Sequence, residues 1–178
     1  MAKASQSPSR LDHKFLAVDV DYRDGTACAA GVLFDNWADS EPRGTVHSMV
    51  DIESDYRPGE FYLRELPCIL ALIEEHGLAP EVIVVDGYVY LDGPSKPGLG
   101  RRLFDALGSK ANVVGVAKNK FRGIADDYAV LRGQSKHPLF VTAEGIDIEA
   151  AKKAVRSMHG ENRIPTLLKL VDQECRTR

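Results

Sequence analysis

The sequence predicts an α/β domain built on a mixed sheet, and three observations carry that reading. Three extended apolar runs joined by turn signals open the chain. Segments of helical period then alternate with short β-branched runs. No internal repeat or low-complexity block interrupts the pattern. A polar, disordered tail over 1–13 and a single domain over 14–178 are therefore expected.

Residues 14–22, KFLAVDVDY, read as a strand with Phe15, Ala17, Asp19 and Asp21 on one face. Leu16, Val18, Val20 and Tyr22 take the other face. Both faces are apolar up to Asp19, as in a central, covered strand. Asp24-Gly25 is a strong hairpin signal into a second strand over 26–34. A third strand over 44–52 follows the loop containing Pro42.

Leu66, Ile69, Leu70 and Ile73 then recur at helical spacing and Gly77 provides a stop. Pro67 is tolerable only in a first turn, which places the helix start near Leu66 and leaves Glu65 at its mouth. EVIVVDG reads as a buried strand ending at Asp86. A Gly- and Pro-rich loop over 87–98 leads to a short helix over 100–107. Strands are expected over 112–116 and 137–142. Asp147 is a candidate N-cap for a helix to about Met158, and 164–175 for a last helix.

Composition sets bounds on function. The 178 residues carry 44% hydrophobic and 28% charged side chains and a net charge of −3. That is ordinary for a globular domain and does not advertise nucleic-acid binding, although a local basic rim can coexist with an acidic total. Cys28, Cys68 and Cys175 form no CxxC or disulfide framework, so a reducing cytoplasm is the expected location. No run approaches the length of a membrane span, and the first residues lack a secretory apolar core.

Asp19 and Asp86 both end apolar strands. If those strands are parallel neighbours, both carboxylates emerge at one edge of the sheet. Clustered carboxylates repel, and a divalent cation compensates them. Hard oxygen ligands suit Mg²⁺ or Mn²⁺, which polarise phosphodiesters and acidify water. Each residue also has a plainer reading. Asp86-Gly87 is a common turn, Glu65 a helix-start charge, Tyr56-Arg57-Pro58-Gly59 a sharp reversal and Lys118 a surface cation. The stretch 121–136 offers Arg122, Arg132 and Lys136 as a basic surface, but Asp126-Asp127 makes a solvated loop an equal alternative.

Four strings in order resemble the endonuclease V family, the inosine-directed nucleases with a ribonuclease-H-like core. They are Asp19-Val20-Asp21-Tyr22, then Tyr56, Pro58, Gly59, Arg64, Glu65 and Pro67, then Asp86-Gly87, then Gly115 to Lys118. HPLFVT (137–142) and RIP (163–165) resemble the family's late segments. The resemblance implies a ribonuclease-H-like mixed sheet flanked by helices. It implies Asp19, Glu65 and Asp86 as metal-site carboxylates and Lys118 near the scissile phosphate. Tyr56, Pro58, Gly59 and Gly87 would then contact nucleic acid, with Tyr56 as a strand-separating wedge. The implied reaction is Mg²⁺-dependent hydrolysis, with Mn²⁺ as a substitute. It cuts the second phosphodiester 3′ to hypoxanthine in DNA or RNA; a monomer is expected separately from the resemblance.

Two departures stand at the expected centre. The family's Gly-His-Gly-x-x-His-Pro is replaced by Tyr88-Val89-Tyr90-Leu91-Asp92-Gly93-Pro94. The histidine expected after the PLFV strand is absent, and Glu144 is the candidate to take its place at the metal. An inosine-directed endonuclease is thus expected. A catalytically impaired nucleic-acid-binding module and a nuclease of altered lesion specificity stand as alternatives.

Overall fold

In the computed structural model the described residues are 13–52 and 62–177. Tyr56, Pro58, Gly59 and the tail over 1–12 lie outside them. The first three strands are β1 (Phe15–Arg23), β2 (Thr26–Phe34) and β3 (Gly44–Asp51). Next come α1 (Tyr62–Glu75), β4 (Val82–Asp86), α2 (Leu99–Ala106) and β5 (Asn112–Ala117). The chain continues through β6 (Ala129–Val130), β7 (Leu139–Glu144), α3 (Ile148–Ser157) and α4 (Thr166–Arg176).

Among the described residues the strands form one sheet in the order β3-β2-β1-β4-β5-β7-β6. β1, β4 and β5 run parallel, while β2, β3 and β7 run against their neighbours. The mixed sheet expected from the sequence is therefore present.

Alternation along β1 splits the core in two. Leu16 and Val18 pack with Ile83 and Val85 under α1, which contributes Cys68, Ile69 and Leu72. Phe15 and Ala17 pack with Val84 and Val116 under α4, which contributes Leu167, Val171 and Cys175. Apolar residues on both faces of β1 follow from this double cover. Trp37, without a role in the sequence reading, completes the second core against Phe15 at 4.6 Å between ring centres.

Three elements differ from expectation. As described, α1 begins at Tyr62 and contains Pro67. The carbonyl that Pro67 leaves without a donor belongs to Leu63, whose side chain is 52% exposed, so solvent reaches that face of the helix. The short β6 arises inside the polar stretch 121–136, where no apolar run announces it. Strand β7 continues two residues past Thr142, which keeps Glu144 in the ladder opposite Val113. Asp147 caps α3 as expected, its carboxylate accepting from the Ala150 amide at 3.0 Å.

Candidate active site

The pairing of β1 with β4 ends at Val18 and Val85. One step further, the two strands diverge, and the residues at the divergence are Asp19 and Asp86. A crevice beside the carboxyl ends of parallel strands is where open α/β sheets place ligands. One cleft opens from this point toward α1, past Glu65, Ile69 and Leu99. A second, mainly apolar cleft opens toward α4, past Val116, Leu139, Pro165 and Leu168.

Each acidic side chain arrives by a separate element. Glu65 lies four residues before Ile69 and seven before Leu72, so the buried face of α1 carries it over the sheet edge. From the opposite face α4 brings Asp172, next to buried Val171. Lys118 follows the last residue of β5, and its ammonium lies 3.0 Å from Asp86 and 3.9 Å from Asp172. Gly87 leaves β4 with φ of 139°, a conformation that side chains other than glycine rarely adopt. Its carbonyl crosses β5 at Gly115, where an added Cβ would stand 2.6 Å from the Gly87 oxygen.

The carboxylates feel one another. Burial, then the charge of Asp86, pushes the Asp19 carboxyl up to about 7, against the opposing pull of the Val20 amide and Lys118. Burial, then Asp19 and Asp86, pushes Glu65 up to about 8. For Asp172 burial works upward. Hydrogen bonding from Arg176, the charges of Lys118 and Arg176, and a hydrogen bond with Asp19 outweigh it and hold this carboxyl low. Of the two, Asp172 thus ionises at the lower pH and Asp19 at the higher. Burial lowers the Lys118 amine, but Asp86, Asp172 and Asp19 together raise it further, so it stays charged.

Among the described residues, no three His, Cys, Asp or Glu side chains converge into a ready-made metal cage. The donor set nonetheless fits a hard divalent cation. It offers only carboxylate oxygens, exposed at Asp86 and partly buried at Asp19 and Glu65, and they repel one another. Mg²⁺ is usually held by one or two carboxylates together with waters and substrate phosphates rather than by a complete protein cage.

Asp19, Glu65, Asp86, Gly87 and Lys118 thus come together at one edge, whereas Glu144 does not. The register sets Asp86 beside Val116 but Glu144 beside Val113, three positions back along β5. Because β7 runs antiparallel, its carboxyl end points away from the Asp19–Asp86 edge. There the Glu144 carboxylate accepts from the Tyr90 hydroxyl and lies 3.5 Å from Arg101. The placement expected for Glu144 is corrected on that geometry, and Asp172 stands nearest to the position it was expected to fill.

The substituted loop is held by its own hydroxyls. Tyr88 donates to the Asn119 carbonyl at 2.6 Å and accepts from the Phe121 amide at 2.9 Å. Tyr90 accepts from Arg101 at 2.7 Å while donating to Glu144. Arg132 is 6% exposed and bonded to backbone carbonyls, so it forms no part of a basic surface.

A mixed sheet of this order, acidic at the carboxyl edge of its parallel strands, is the ribonuclease-H-like architecture. The Endonuclease V family model matches residues 2–137. The chain belongs to the endonuclease V family. An endonuclease V of Streptomyces coelicolor is 35% identical in a 152-residue alignment that covers 80% of this chain and 58% of that protein. The chain therefore spans less than two thirds of that relative. The solved endonuclease V of Streptomyces avermitilis is 25% identical, with a TM-score of 0.74 over 95% of this chain and 82% of that one. A Ciona intestinalis endonuclease V was solved with a 24mer DNA containing an inosine followed by a ribo-adenosine. It is 18% identical with a TM-score of 0.71 over 91% of this chain and 83% of that one, a likeness of fold.

Proposed function

We propose that the protein is a divalent-metal-dependent endonuclease that cuts a nucleic-acid strand 3′ to inosine. The observation that carries this reading is the convergence of Asp19, Glu65, Asp86 and Lys118 where β1 and β4 separate. Asp19 and Asp86 are the residues that would hold Mg²⁺ or Mn²⁺, with Glu65 and Asp172 on either side. A cation held there supplies positive charge to the phosphodiester and lowers the pKa of an attacking water.

The chain's own residues then have distinct work. Asp19 and Glu65 must give up their protons for the carboxylates to act together, since burial and mutual repulsion favour the acids. Lys118 holds one charge beside Asp86 and is within reach of a phosphate oxygen as a point charge. Asp172 balances that charge from α4. Gly87 and Gly115 let the backbone after Asp86 cross β5 closely, which sets where the chain leaves Asp86.

The Ciona complex with inosine-containing DNA supports inosine as the base to test first. A second reading, altered lesion choice, is favoured by the 88–94 loop. Val89 and Gly93 stand where the family has its histidines, and the flanking Tyr88 and Tyr90 are engaged with Asn119, Phe121, Glu144 and Arg101. A monomer acting in the cytoplasm is part of the proposal. Among the described residues no helix is long and apolar enough to cross a membrane.

Matched DNA and RNA strands with and without one inosine, incubated with protein and Mg²⁺ or Mn²⁺, test the proposal. Cutting confined to the inosine strands, at the second phosphodiester on the 3′ side, is expected. Absence of inosine-dependent cutting with either metal overturns it, and cutting at another modified base would establish the second reading.

A further inference from the structure

Lys118 is held by its carbonyl as well as by its ammonium. The Arg163 guanidinium spans three backbone carbonyls where β5 and β7 part. Its Nε donates to His137 at 2.9 Å, and its Nη2 donates to Pro138 at 2.9 Å and to Lys118. The β5–β7 ladder ends with Ala117 opposite Phe140. Pro138, two residues before Phe140, has no N–H with which to carry the ladder on. The guanidinium supplies donors at that gap.

Arg163 is itself secured. The buried Arg132 donates through Nη1 to the carbonyls of Asn162 at 2.7 Å and Arg163 at 3.3 Å. Its Nη2 reaches the carbonyls of Met158 and Gly160. Gly133 permits this approach, because a Cβ there would meet the Glu161 oxygen at 2.0 Å. Arg163 also lies two residues before Pro165, the N-cap of α4. One guanidinium therefore ties the exit of β5, the entry of β7 and the start of the helix that carries Asp172.

We propose that Arg163 is a positioning residue for Lys118, and that Arg132 supports it. By fixing the Lys118 backbone relative to α4, it sets the ammonium between Asp86 and Asp172. Only a planar fork of donors meets carbonyls on separate segments together, so lysine at 163 replaces part of the clamp and glutamine none of its charge. The kinetic consequence rests on the nuclease reading above, whereas the structural clamp does not.

The test is a double-mutant cycle on cleavage, joined to hydrogen exchange on the metal-free protein. Arg163→Gln should slow single-turnover cutting of the inosine strand roughly 10- to 100-fold, the range for lost supporting contacts. Apparent substrate affinity should change little, and Arg163→Lys should recover part of the rate. In a Lys118→Met background, Arg163→Gln should cost nothing more, because the two act as one unit. An equal loss in both backgrounds, or no loss in either, overturns the proposal. In metal-free protein, Arg163→Gln should speed amide exchange over 118–121 and 139–141 and leave α1 and β1 unchanged. Unchanged exchange at 118–121, or a uniform rise, overturns the clamp. A wild type that cuts no inosine strand defeats the nuclease reading, and the exchange pattern then decides the clamp alone.

Discussion

The Lys118 ammonium lies 3.0 Å from the carboxylate of Asp86, the residue that ends the neighbouring parallel strand. In this arrangement the lysine neutralises an acid that a cation would otherwise claim. Removing it has two consequences of opposite sign. Lys118→Met should tighten divalent-metal binding, because a competing positive charge is gone. It should also slow cleavage roughly 10²- to 10³-fold, the cost of losing one preorganised group that stabilises transition-state charge. Calorimetric metal titration and single-turnover kinetics on the same preparation check both signs. Weaker metal binding in the variant would contradict this assignment.

Metal-free stability should depend on pH through the two raised carboxyls. Asp19 rises from an ordinary 3.8 to about 7, and Glu65 from 4.5 to about 8. A raised pKa means that the folded state favours the protonated form. The stabilisation is complete below the ordinary values and is lost as pH climbs through about 7 and 8. Metal-free wild type should therefore melt at a lower temperature at pH of about 8.5 than at about 5.5. Asp19→Asn combined with Glu65→Gln should flatten much of that slope, and Mg²⁺ should restore wild type at the higher pH. A variant with the wild-type slope would sink the claim.

Asp172 and Glu144 should separate cleanly. Asp172→Asn removes the charge that faces Lys118 and leaves only a neutral amide oxygen to accept the hydrogen bond from Asp19. Metal affinity or cleavage should fall roughly 10- to 100-fold, as for groups that orient metal ligands. Glu144→Gln should leave metal affinity unchanged and instead loosen its contacts with Tyr90 and Arg101. Parallel titrations of Mn²⁺ into the two variants decide the matter, and a larger effect from Glu144 would reverse the assignment.

Gly115→Ala should damage the site without touching an acid. The new methyl group would meet the Gly87 oxygen at 2.6 Å and the Val89 nitrogen at 2.8 Å, both backbone atoms. Overpacking of this kind costs about 1–3 kcal/mol. The displaced segment is the one that follows Asp86, so cleavage should suffer beyond the loss in melting temperature. Full activity per folded molecule would show that the crossing at Gly115 does not shape the crevice.

The parts of the site that lie on strands were legible, and those set by long-range docking were not. Asp19 and Asp86 stand at the ends of apolar runs whose alternation can be read directly, and the parallel pairing of β1 and β4 places them level. Asp172 gave no such signal. Its nearest sequence partner is Arg176, four residues on, and such a pair normally marks a solvated helix face. Only the packing of α4 over β1 carries it to Asp19.

Glu144 lies away from the site because β7 runs antiparallel to β5, a direction that an isolated apolar run does not reveal. Arg132 reads as a surface cation in a polar stretch, yet four carbonyls from a segment some thirty residues away draw it inside. The wedge expected at Tyr56 lies outside the described residues.

The central claim is that the carboxylates at the divergence of β1 and β4 hold the cation that drives inosine-directed cutting. Single-turnover cleavage of matched inosine and adenosine strands by wild type and Asp86→Asn, across a Mg²⁺ titration, tests it most directly. Asparagine keeps nearly the same shape and removes the charge. Wild type should cut the inosine strand in proportion to bound Mg²⁺, and Asp86→Asn should remain folded and fail to cut at any Mg²⁺ concentration. Cutting by Asp86→Asn at the wild-type rate under limiting Mg²⁺ would contradict the account.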